Sequence, residues 1–176
     1  RLLRNTMPDL GAVRARAESM LTAGVDILDV GGESTRPGAE PVSAAAELDR
    51  VLPVVEMLLE LDTIVSVDTS KAEVALAVLN VGCHLINDVT GLAESEMLEV
   101  LATSEAAVCI MHMLGRPRTM QEDPQYQDVV VEVHDLLEAR VCQAREAGIS
   151  EDRLCTDPGF GFGKTQTHNL TLLKNL

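Results

Sequence analysis

Five short apolar runs in this chain are each followed at once by residues able to do chemistry. They are Asp29 with Gly31, Gly32 and Glu33; Asp68; Asn87 with Asp88; His112; and Asp157. Asp68, Asn87 and Asp157 together offer carboxylate acceptors and one amide that both donates and accepts. That set suits a flat heterocycle carrying ring N–H, exocyclic amine and carbonyl groups. A carboxylate facing an amidine-like N–H pair makes two parallel, charge-assisted hydrogen bonds. The plain alternative for any one Asp is a helix cap or loop anchor. Three such groups at three of the five run ends favour a binding site over three coincidental caps.

Other segments add to this set. The loop Gly31–Gly38 is glycine-rich, so its backbone can approach a ligand closely. Within it Thr35 and Arg36 are a neutral and a cationic donor suited to phosphate or carboxylate, although a solvated turn has the same composition. Gly159-Phe160-Gly161-Phe162-Gly163-Lys164 lacks phosphate-loop spacing. Its alternating Gly and Phe suit a loop that lays an aromatic ring over a planar ligand, or a plain glycine-rich turn. His112, flanked by Met111 and Met113, has no second His or Cys at ligand spacing, so a packed, hydrogen-bonded histidine is expected rather than a base or metal ligand. Arg116 and Arg118 read equally as anion contacts or solvated charge. No Ser-His-Asp arrangement is found.

The elements that position these residues alternate. Asp9 caps a helix whose apolar face is Leu10, Val13, Ala17, Met20 and Leu21. Val25–Val30 reads as a strand. Ser43 starts a helix with Leu48, Val51, Leu52 and Val55 inward, and Ile64–Val67 is the next strand. Ser70 and Glu73 have capping-box spacing, and the helix they open ends near Gly82. A strand at His84–Ile86, a helix at Ser95–Thr103 and a strand at Ala107–Met111 follow. A long loop then runs to about Gln127. A helix presents Val129, Val130, Val133, Leu136, Leu137, Val141 and Ala144; Leu154–Thr156 is the last strand, and a final helix starts near His168. Gly24, Gly82 and Gly148 supply the left-handed residue that ends three of the helices. Five βα units in series predict one α/β domain over residues 1–176, with a parallel sheet and the polar groups gathered at its C-terminal edge.

Composition bounds the function. With 14 basic and 28 acidic residues the formal charge is −14, which opposes binding to nucleic acid or anionic lipid. No run of 18 apolar residues occurs, so no membrane span is expected. Only Tyr126, Phe160 and Phe162 are aromatic, so the core must be aliphatic. Cys83, Cys109, Cys142 and Cys155 show no metal-ligand spacing and are expected as reduced core residues of a cytoplasmic protein.

The motifs in order are similar to one family. Asp29-Val30-Gly31-Gly32-Glu33-Ser34-Thr35-Arg36-Pro37-Gly38 resembles the second-strand signature of dihydropteroate synthases. Ser66-Val67-Asp68-Thr69-Ser70-Lys71 resembles their third strand, and Ile86-Asn87-Asp88-Val89 their fourth. Met111-His112-Met113, with Gly115, Pro117, Thr119, Met120 and Gln121, resembles the fifth. Asp157-Pro158-Gly159-Phe160-Gly161-Phe162-Gly163-Lys164 resembles the sixth. The resemblance covers nearly the whole chain. It implies a TIM-type (β/α)8 barrel, homodimeric when full length. The implied reaction condenses p-aminobenzoate with 6-hydroxymethyl-7,8-dihydropterin pyrophosphate, releasing pyrophosphate in the presence of Mg2+. By motif, Asp68, Asn87 and Asp157 hold the pterin edge, and Met111 and Phe162 pack near its ring. Thr35 and Arg36, the residues assigned to catalysis, belong to a mobile loop over diphosphate and p-aminobenzoate, and Lys164 faces the same site. The family is the target of sulfonamides.

The family's first, seventh and eighth strand motifs are not found here, and the magnesium ligand is expected on the first. An incomplete barrel of about five βα units is therefore expected, inactive by itself, because five strands cannot close an eight-stranded barrel. Two other readings use the same residues. A pterin-binding methyltransferase domain shares the Asp68, Asn87 and Asp157 logic without needing the Glu33–Pro37 loop. A non-catalytic fragment shows no turnover even with the remaining strands supplied.

Overall fold

The computed structural model describes residues 8–36, 39–115 and 119–176. Five parallel strands form one open sheet in the order β1-β2-β3-β4-β5: β1 (Ile27–Gly31), β2 (Ile64–Asp68), β3 (Leu85–Asp88), β4 (Ala107–Met111) and β5 (Leu154–Asp157). The helices are α1 (Leu10–Thr22), α2 (Ala44–Leu58), α3 (Ala72–Asn80), α4 (Ser95–Ala102), α5 (Val129–Glu146) and α6 (Gln166–Lys174). The expected alternation of helix and strand is present throughout.

Helices cover one face of the sheet. Val65 and Val67 of β2, Ile86 of β3, and Val108 and Ile110 of β4 are fully buried with Val51, Val55, Val78, Met97 and Leu101 from the helices. Among the described residues no helix covers the opposite face: Ile27 and Ile64, at the strand starts and one residue out of phase with the core positions, are 44% and 45% exposed, while Ser66 and Met111 further along that face are 2% and 3% exposed. Side chains leave the two faces with the period of two expected of strands. The buried core cluster is aliphatic, with Met57, Met97 and Cys83 and no aromatic ring.

The three helix-ending glycines act as expected, with Gly24 at φ +88, Gly82 at φ +103 and Gly148 at φ +95. Each closes a Schellman motif: Gly24 N–H donates to Leu21 and Val25 N–H to Met20, and the same pair of bonds recurs at Gly82–Cys83 and Gly148–Ile149. This closure also explains why β1 starts at Ile27 rather than at Val25. Val25 belongs to the end of α1, because its N–H is spent on that helix.

One cap differs from expectation. Asp9 and Ser43 cap α1 and α2 through their side chains, but Ser70 and Glu73 form no capping box. The cap residue of α3 is Lys71, with no side-chain cap bond. Ser70 lies one residue too early, and Thr69 Oγ1 accepts the Lys71 N–H at 3.2 Å instead. A capping box does occur at α6, between Thr165 and His168.

Candidate active site

Except for β4, which ends at Met111 as expected, the strands run one or two residues further than periodicity indicates, and this places the site chemistry on the sheet itself. Asp68, Asn87 and Asp157 are the last or next-to-last hydrogen-bonded residues of their strands. The register aligns Gly31, Asp68, Asn87, Cys109 and Cys155 in one row across the sheet, and Met111 with Asp157 one step beyond. Residues two apart share a face, so Asp68, Asn87, Met111 and Asp157 all lie on the open face at the C-terminal edge. Strand-borne groups are held more rigidly than loop-borne ones.

Asn87 Oδ1 is buried and has no hydrogen-bond partner among the described residues. A buried, unpaired acceptor costs free energy unless a donor arrives from outside. Asp157 Oδ1 accepts the Gly159 N–H at 2.7 Å, and its carbonyl accepts the His112 N–H at 2.9 Å. Asp88 points the other way. It is 1% exposed and anchors the β3 loop, its Oδ1 accepting from Thr90 N and Oγ1 and its Oδ2 from Leu92 N. Burial pushes the Asp88 carboxyl above its ordinary range despite those bonds.

The loop after β5 is clamped to β4. Gly159 sits at φ +68 beside the His112 carbonyl, and Gly163 lies against Leu114. Tyr126 Oη donates to the Gly163 carbonyl at 2.8 Å, and Gln121 Nε2 donates to the Gly161 carbonyl. Met111 is 3% exposed, Phe162 half-buried and Phe160 41% exposed. Lys164 was expected to face the ligand. Here it is 3% exposed, and its ammonium is taken up by the carbonyls of His112, Gly159 and Phe162 and by His112 Nδ1 at 2.9 Å. Burial lowers it to about 8, partly offset by Asp157. Its observed work is to tie the β4 and β5 loops together.

His112 is the packed, hydrogen-bonded residue expected. Burial, then the neighbouring Lys164 charge, lowers it from 6.5 to about 4. The unfolded chain therefore binds this proton between about pH 6.5 and 4 while the folded chain does not. Stability from this residue is complete above pH 6.5 and falls as pH drops toward 4, by roughly 3 kcal/mol. Urea unfolding of the parent and His112→Asn at pH 7 and pH 5 should show the steeper loss in the parent. Asp88, which titrates in the opposite sense, is common to both.

At the other side of the edge, Glu33, Ser34 and Thr35 close a small cleft of about 50 Å³ with Glu47, Asp68 and Thr69. Thr35 is half-buried and Arg36 exposed. Lys71 makes hydrogen-bonded ion pairs with both Glu33 and Glu47. Burial alone would lower the Lys71 ammonium, but these two carboxylates more than reverse it and the net shift is upward. Glu47 is 1% exposed, and its Oε1 has no hydrogen-bond partner among the described residues. Sequence reading missed Glu47, although its spacing from the inward-facing Val51, Val54 and Val55 marks it as a core-facing carboxylate. A larger cavity of about 410 Å³ lies at the N-terminal end of the sheet, near His84 and Ala106, away from this chemistry. Arg116, Arg118, Pro37 and Gly38 fall outside the described residues.

Comparison with known proteins is consistent with this geometry. The family described as pterin binding enzyme matches residues 4–176. The chain is 49% identical over 161 residues to the dihydropteroate synthase of Escherichia coli K12, covering 91% of this chain and 57% of that protein. It is also 49% identical over 162 residues to that of Haemophilus influenzae, covering 92% and 59%. Among solved structures, the Yersinia pestis dihydropteroate synthase with a sulfonamide drug complex superposes with TM-score 0.92 at 45% identity, covering 95% of this chain and 61% of that one. The Burkholderia cenocepacia enzyme complexed with 7,8-dihydropteroate gives 0.89 at 46%, covering 96% and 61%. The chain spans somewhat more than half the length of these relatives. With the ordered strand-end motifs and the family match over almost every residue, the chain belongs to the pterin binding enzyme family.

Proposed function

We propose that this chain carries the pterin-binding wall of a dihydropteroate synthase. The observation that carries the reading is the row of Asp68 and Asn87 with Asp157 one step beyond, in which a buried amide oxygen waits for a donor. A pterin presents ring N–H and exocyclic amine donors in one plane, which these acceptors complement. Met111 and Phe162 flank the ring. Thr35 and Arg36 reach the diphosphate and p-aminobenzoate from the β1 loop. The ester C–O bond to diphosphate breaks at the methylene carbon, the aniline nitrogen forms the new C–N bond and releases its proton, and no protein nucleophile is required. Asp68 and Asp157 favour the positive charge that builds beside the pterin.

Magnesium is part of this proposal only at the level of the whole protein. Among the described residues the single cluster of three possible ligands is His134, Asp135 and Glu138, exposed on α5, and Glu33 and Glu47 are engaged with Lys71. These residues do not make a magnesium site at the sheet edge. A cytoplasmic location is supported by the four free cysteines, and a homodimer by family resemblance alone.

The test joins this chain to the flanking segments of the Escherichia coli relative and measures pyrophosphate release with p-aminobenzoate present. Turnover is expected. Arg36→Ala should lower kcat/KM about 10- to 100-fold, the loss of one charge-assisted contact. A folded chimera without turnover would argue for the non-catalytic reading.

A further inference from the structure

Cys109 of β4 and Cys155 of β5, far apart in sequence, are direct partners in the parallel register. Both belong to the row that contains Asn87, so both side chains leave the sheet on its open face. Cys109 is half-buried, Cys155 exposed, and neither is in a disulfide. Sequence reading expected all four cysteines in the core; only Cys83 is buried, Cys142 is exposed on α5, and this pair faces outward. Parallel neighbours stand about 4.8 Å apart, so two cysteines in register carry their thiols side by side.

The geometry separates the ligands that two such thiols can take. A disulfide wants Cβ atoms about 3.8 Å apart. Side chains leaving two parallel strands in the same direction keep roughly the strand spacing of 4.8 Å. Closing the bond therefore means drawing β5 toward a strand already fixed to β3 on its other side. Thiolate character is low as well: burial first, then the Cys155 thiol, Asp157 and Asp29, push Cys109 up to about 12, and thiolate is the species that attacks an oxidant. Zinc takes four ligands, at least three of them from protein, and among the described residues no His, Asp or Glu joins these two sulfurs in a cluster of three. What remains is a ligand satisfied by two sulfurs.

We propose that Cys109 and Cys155 form a dithiol site that captures a monosubstituted trivalent arsenical. Two S–H bonds of the protein and the arsenic–oxygen bond of the arsenoxide break. Two As–S bonds form, and the oxygen leaves as water with both thiol protons. Arsenic stays trivalent, so no oxidant or reductant is involved. The ring formed bridges β4 and β5 one strand from Asn87.

Phenylarsine oxide is the probe, used on the intact chain with intact-mass and free-thiol measurements. The expected result is one adduct per chain and a fall from four titratable thiols to two. The adduct resists excess 2-mercaptoethanol and is removed by dithiothreitol. The Cys83→Ser/Cys142→Ser variant should behave as the parent does. Cys109→Ser and Cys155→Ser should each give only adducts that the monothiol strips away. A monothiol-resistant adduct that survives Cys155→Ser, a substitution at an exposed position, would overturn the assignment. So would four thiols remaining free after equimolar probe in a chain whose circular dichroism is that of the folded protein.

Discussion

Gly159→Ala should cost this protein at least about 3 kcal/mol, an effect that belongs with backbone strain and steric overlap rather than with side-chain loss. Gly159 lies at φ +68, where a side chain adds roughly 1–2 kcal/mol of strain. The added Cβ would also fall 2.0 Å from the His112 carbonyl oxygen and 3.2 Å from Met111 Cγ. A carbonyl cannot swing aside as a flexible side-chain tip can, and this one also accepts from the Lys164 ammonium. Relief requires the β5 loop to lift from β4, which would break the Asp157–Gly159 turn as well. Gly161→Ala is the control: its φ is +81, but nothing lies within 4 Å of the added Cβ. It should cost only the conformational strain. Urea unfolding of the two variants beside the parent measures both, and equal losses would mean that the close approach carries no energy.

Lys71→Met should also destabilise strongly, by about 3–5 kcal/mol, because it leaves a buried carboxylate without its counter-charge. Glu47 is 1% exposed, and among the described residues Lys71 is the only hydrogen-bond partner of its side chain. The same ammonium holds Glu33 of the β1 loop, so the loop that carries Thr35 and Arg36 should loosen too. The ordering of variants decides the cause. If the damage comes from stranding Glu47, the double variant Lys71→Met/Glu47→Leu should recover much of the loss, since apolar replacements of buried ion pairs are often neutral. A double variant less stable than Lys71→Met alone would show instead that Glu47 contributes favourably without Lys71.

The sheet order and the placement of the site were legible because both rest on period and punctuation. Val65, Val67, Val108 and Ile110 alternate with polar or open-face neighbours, and Gly24, Gly82 and Gly148 mark helix ends through a conformation few other residues adopt. The convergence of Asp68, Asn87 and Asp157 then follows from parallel topology. Residue pairs distant in sequence were not legible. Lys164 reads as a cation next to a binding loop, yet its ammonium satisfies three carbonyls that only the folded loop brings together. Glu47 reads as one more acid in an acidic chain until α2 turns it inward toward Lys71. Cys109 and Cys155 show no ligand spacing because their nearness is set by strand register. Ser70 and Glu73 had the right spacing for a cap, but the helix began one residue later and the pattern was not used.

The most direct test is calorimetric titration of this chain with a 6-hydroxymethylpterin pyrophosphate analogue, alongside Asn87→Ala and Asp157→Asn. Asp157→Asn keeps an oxygen for the Gly159 N–H but removes the carboxylate charge. Saturable binding by the parent chain is expected, weakened about 10- to 100-fold by either substitution. Binding that both variants retain unchanged, with their fold intact by circular dichroism, would contradict the assignment of the pterin wall to this row of the sheet.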